Sequence, residues 1–136
     1  EVEIASAAAV TAVTVNVQGV GAAAAADDVE IDISGTGVAT LTIDSSTAAN
    51  YVGIGNSGSA LRTINVTGST LFDADENALT AVTTIDASAT TAGVKFNTTG
   101  GTQDLTFTGG SGDDTLNVGA GLDADDVLVF GPAPIL

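Results

Sequence analysis

The chain has 136 residues, enough for one domain with a real core. Its 17 acidic residues face only Arg62 and Lys95, a formal net charge of -15, which excludes nucleic acid and anionic membrane surfaces as partners and favours cations. Cysteine and histidine are absent, which excludes disulfides, thiol chemistry and imidazole metal sites, while a 44% hydrophobic content argues against disorder.

No apolar run is long enough to cross a bilayer, so no membrane insertion is expected. Glu1 reads as a processed end or the start of an excised fragment. Residues 1–20 are expected to form an N-terminal strand, cap or assembly segment, with a good strand at Thr14 to Val17 outside the repeat described below. Ala7–Ala9 and Ala22–Ala26 are low-complexity runs, open to a short helix, a narrow coil or an extended linker. From residue 21 to 136 the chain is expected to form a β-solenoid domain. Apolar and polar residues alternate in Glu30–Ile33, Leu41–Ile43, Thr63–Val66, Leu105–Phe107 and Leu116–Val118, which is strand texture. Asp73 to Asn77 is expected to bulge out of the pattern. Val127–Phe130 forms a last strand, stopped by Gly131-Pro132.

A period near 21 organises these strands. Ile43, Ile64, Ile85 and Phe107 head successive units, and the pairs Val52/Ile54, Val94/Phe96 and Leu116/Val118 follow nine and eleven residues on, with Ile31/Ile33 in the same place one unit earlier. The spacing predicts an all-β fold, a right-handed parallel β-helix of about 21 residues per coil. The four head residues should stack in one interior row. Asp44, Asn65, Asp86 and Thr108, one residue on, should form a solvated ladder. An antiparallel β-sandwich is the other arrangement that alternating strands allow.

The segment Gly109-Gly110-Ser111-Gly112-Asp113-Asp114-Thr115-Leu116-Asn117 fits the nonapeptide G-G-x-G-x-D-x-U-x, with Leu116 as the apolar position. Glycines expose carbonyl oxygens in a tight turn and Asp114 adds a carboxylate, a donor set that suits Ca2+. This segment resembles the RTX calcium-binding β-roll family of secreted bacterial proteins. Leu61–Ser69, Val82–Ser88 and Leu105–Leu116 are similar to repeats of RTX-type surface-layer proteins. The resemblance implies an RTX-like β-roll turn near the C-terminus and calcium between coils. The metal-ligating set is then Gly109, Gly110, Gly112 and Asp114 in one half, with Asp123, Asp125 and Asp126 from a neighbouring coil as the other.

The same resemblance implies a secreted, cell-surface or extracellular protein: a self-assembling S-layer, filament or matrix component. A calcium-binding spacer module of a large RTX adhesin or toxin is the alternative. The expected partners are further copies of the chain, joined through the chain ends, and cell-surface polysaccharide. Catalysis is not expected, because the common nucleophile–base pairs cannot be built and the two cations fall in different coils.

Overall fold

Threonine and branched aliphatic residues favour a half-buried pleated surface, and the Gly, Ser and Asn clusters between them supply turns. The computed structural model describes residues 2–6, 8–23 and 29–132, and among these it contains strands and no helix. The strands are β1 (Val2–Ile4), β2 (Ala12–Gln18), β3 (Val29–Ile33), β4 (Thr40–Ser46), β5 (Asn50–Gly55), β6 (Thr63–Gly68), β7 (Phe72–Ala74), β8 (Thr84–Thr90), β9 (Val94–Asn97), β10 (Thr106–Thr108), β11 (Thr115–Asn117) and β12 (Val127–Val129).

Odd-numbered strands form one six-stranded sheet in the order β1-β3-β5-β7-β9-β11, and even-numbered strands form the other, β12-β10-β8-β6-β4-β2. Every neighbouring pair is parallel. Each turn of the chain therefore gives one strand to each sheet. That is a parallel β-solenoid, and it excludes the antiparallel sandwich.

The core lies between the two sheets. Ile33, Leu41, Ile43, Ile64, Ile85, Val94, Phe96 and Phe107 are fully buried. Side chains alternate in and out along each strand, so every second residue of a strand joins this core. Phe72 and Phe96 stack inside it, with ring centres 5.9 Å apart.

Register corrects part of the expected row. The longest interior row is Val13–Leu41–Ile64–Ile85–Phe107–Leu128. Ile43 belongs to the next one, between Val15 and Val66. Leu41 and Ile43 both point inward because strand side chains repeat every two residues, so a 21-residue count from Ile43 lands on the neighbouring row. The coil is also longer than 21 residues in the N-terminal half: 28 separate Val15 from Ile43 and 23 separate Ile43 from Val66, before 21, 22 and 21 in the later coils. The polar ladder shifts with the register. Asn65, Asp86 and Thr108 are in line, but their partner in β4 is Thr42, and Asp44 opposes Thr67.

Asp73 does not begin a bulge. It sits in β7 between Tyr51 and Lys95, while Phe72 and Ala74 fill the interior places. An early apolar residue thus shifts the inward phase by one without breaking the strand. The segment 1–20 carries β1 and β2, which take the outer places in the two sheets, paired with β3 and β4. Residues 24–26 of the second alanine run and residues 133–136 of the tail lie outside the described residues.

Candidate functional site

The glycines of the nonapeptide lie on the turn between β10 and β11, where coils approach closely. Gly109 N donates to Val129 O at 2.7 Å, and Ser111 N donates to Thr90 O at 3.2 Å. A Cβ on Gly110 would run into the backbone of Thr90 and Ala92, and one on Gly112 into Ala92 and Gly93. Coil-to-coil contact therefore demands glycine here.

Asp114 faces this corner. Its Oδ1 accepts the N–H of Val94 at 3.0 Å, and its Oδ2 accepts that of Gly131 at 3.4 Å. A Cβ on Gly109 would collide with the same carboxylate. The motif's aspartate and glycines thus tie together the coils on either side of them.

The expected partner carboxylates lie on a different turn, between β11 and β12. Asp126 Oδ1 accepts the N–H of Leu105 and its Oδ2 that of Asp123, both at 2.7 Å. The Asp123 and Leu105 N–H groups, in that order, hold the Asp126 carboxyl below the usual carboxylate range. Asp123 Oδ1 in turn accepts from Asp125 N at 3.0 Å. The structure joins Asp123 and Asp125 not to Asp114 but to Asp104, with carboxylate oxygens of the three within 4.8 Å of one another and all three residues exposed. Sequence reading missed Asp104. The pairing of Thr106 with Val127, visible only in the folded chain, puts Asp104 and Asp125 at equivalent places in adjacent coils.

Three carboxylates this close repel one another, and hard oxygen donors without imidazole or thiolate suit a hard divalent cation. The adjoining cleft, lined by Leu79, Val82, Leu105, Leu122 and Asp126 among others, has a volume of about 20 Å³. That is room for a water molecule, far short of a small-molecule site.

A second charged group lies on the outer face of the odd-numbered sheet. Lys95 Nζ meets Asp73 Oδ2 at 2.7 Å, with the two side chains 38% and 10% exposed. The bond to Asp73 holds the Lys95 ammonium above its ordinary range. Burial, reinforced by Asp73, pushes the neighbouring Asp75 carboxyl up. Asn77 Nδ2 then donates to Glu30 Oε1 at 3.2 Å, so the segment after β7 folds back over Gly53. This group fastens a loop to the sheet. Comparisons of the chain with protein-family models, curated proteins and solved structures find no match.

Proposed function

We propose that this is a structural, self-assembling extracellular protein, an S-layer or filament component stabilised by calcium. The observation that carries the reading is the apolar surface of the last coil. Val127, Val129 and Phe130 are each about half exposed, and among the described residues no strand pairs with the outer edge of β12. Leu128 continues the core row and Phe130 stacks on Phe107 at 5.3 Å. A further strand laid on this edge would extend the core and satisfy the open ladder.

At the opposite side, β2 offers Val13 in the same row and Val15 in the neighbouring one, and Val2 is half exposed. Joining unlike ends gives a heterologous contact that repeats without closing, as a filament or lattice requires. The net charge of -15 opposes contact between copies until cations screen it. Asp104, Asp123 and Asp125 would hold calcium, which supplies local neutralisation beside the joining edge.

The same open edge favours a second reading, a spacer module whose coils continue in a longer chain. Light scattering and electron microscopy, in millimolar calcium and in chelator, separate the two. Calcium-dependent filaments or sheets, lost in Val127→Asp/Val129→Asp and weakened in Asp104→Asn/Asp125→Asn, support assembly. A monomeric rod under all conditions selects the spacer.

A further inference from the structure

We propose that the outer face of the even-numbered sheet binds the surface of ice. The inference is independent of assembly and rests on one array. Thr40, Thr63, Thr84 and Thr106 oppose one another in four consecutive strands, forming an unbroken file. A second file runs beside it, two residues along each strand: Thr14, Thr42, Asn65, Asp86 and Thr108. The residues between the files, Leu41, Ile64, Ile85 and Phe107, are fully buried, so the backbone beneath the array is pinned by the core.

The strand geometry fixes a two-dimensional lattice. Neighbouring strands lie about 4.8 Å apart, and residues i and i+2 lie roughly 6.7 Å apart along a strand. Oxygen rows on the prism faces of ice repeat at nearly these two distances. Each threonine sets a methyl and a hydroxyl side by side, a pairing that cages water over the methyl and anchors it at the hydroxyl. Among the described residues, none of the seven threonine hydroxyls in these files has a hydrogen-bond partner, whereas the partly exposed Thr67 and Thr83 each bond a carbonyl of the adjacent coil. The array thus keeps its hydrogen bonds for whatever lies outside.

The face also fits ice better than a sugar chain. Sugar-binding surfaces use exposed aromatic rings for stacking, and the aromatic residue of these four strands, Phe107, points inward. Arg62 and Lys95 both lie outside the two files. The register shift between Asn65 and Thr67 limits the ordered array to the first two outward positions of β6 and β8. Asp86 is the one charge within the files. It is exposed, and it interrupts the second file as the fourth of its five members.

The experiment measures freezing hysteresis and crystal shape for a seed crystal held in a solution of the whole chain, with and without calcium. Wild type should open a gap between melting and freezing and produce faceted crystals. Thr84→Tyr, a bulky group at the middle of the first file, should abolish both while its circular dichroism and melting curve stay those of wild type. Asp86→Thr should widen the gap. Asn117→Tyr, on the outer face of the other sheet, should leave it unchanged. Round crystals with no gap for wild type, or full activity in Thr84→Tyr, overturn the proposal. Binding to cellulose or chitin powder with no effect on ice also overturns it and assigns the face to polysaccharide.

Discussion

Asp114 Oδ1 accepts the backbone N–H of Val94 across the seam between two coils, at 3.0 Å. The bond makes the motif's aspartate a strut of the fold whether or not a metal is near. Asp114→Ala should leave that N–H without its partner and lower stability by about 1–3 kcal/mol. Urea titrations in calcium and in chelator should show the same loss. A loss confined to calcium would instead make Asp114 a metal ligand.

Ile85 is fully buried between Ile64 and Phe107 in the longest core row. Ile85→Ala should cost about 2–5 kcal/mol, from lost burial and the cavity left behind. Thr84→Ala, one residue earlier and facing outward, should stay within about 0.5 kcal/mol of wild type. Equal effects for the two would contradict the inward and outward assignment.

Asp75 gives a pH dependence with a definite sign. Burial first, and then Asp73, raise its folded-state pKa above the unfolded value. Folding is therefore favoured while the group is protonated, and that contribution fades as pH rises through the folded value. Asp75→Asn cannot ionise. It should melt at a higher temperature than wild type at neutral pH, with the difference vanishing once acid protonates the carboxyl. A variant less stable at neutral pH would mean that attraction to Lys95 outweighs burial.

The Lys95–Asp73 pair loses its contribution in the same direction, at higher pH. The Lys95 folded-state pKa is raised, chiefly by its bond to Asp73, so its stabilisation is complete below the ordinary lysine range and is lost as pH climbs through the raised value. Solvent screens the partly exposed ammonium, so Lys95→Met should cost about 1 kcal/mol or less at neutral pH. The melting temperatures of variant and wild type should converge in strong alkali.

The strands and their stacking were legible because alternation and a repeating spacing both survive in Leu41–Ile43, Thr63–Val66 and Leu105–Phe107. Register was not. Leu41 and Ile43 are both aliphatic and both inward, and only the pairing of β4 with β6 tells which of them faces Ile64. β7 was hidden because Asp73, an acid in a buried outer place, depends on Lys95 from the next coil. Asn50 gave no signal either. It is fully buried, accepts from Val20 N at 2.8 Å and donates to Ser45 Oγ at 2.8 Å, partners 30 and 5 residues away. Of the carboxylate cluster, Asp123 and Asp125 could be read from their own turn. Asp104 required knowing which coil stacks on which.

In both sheets the ladder hydrogen bonds run from coil to coil, so they all point along the solenoid axis. A load applied between the two ends therefore meets these bonds one rung at a time, in the direction that unzips them, and not as a sheared set. Each coil of 21 or 22 residues in the C-terminal half would release roughly 70 Å of slack as it peels away. Extension should proceed in a train of small, nearly even steps. A rod built this way yields gradually under tension and re-forms from whatever coils remain.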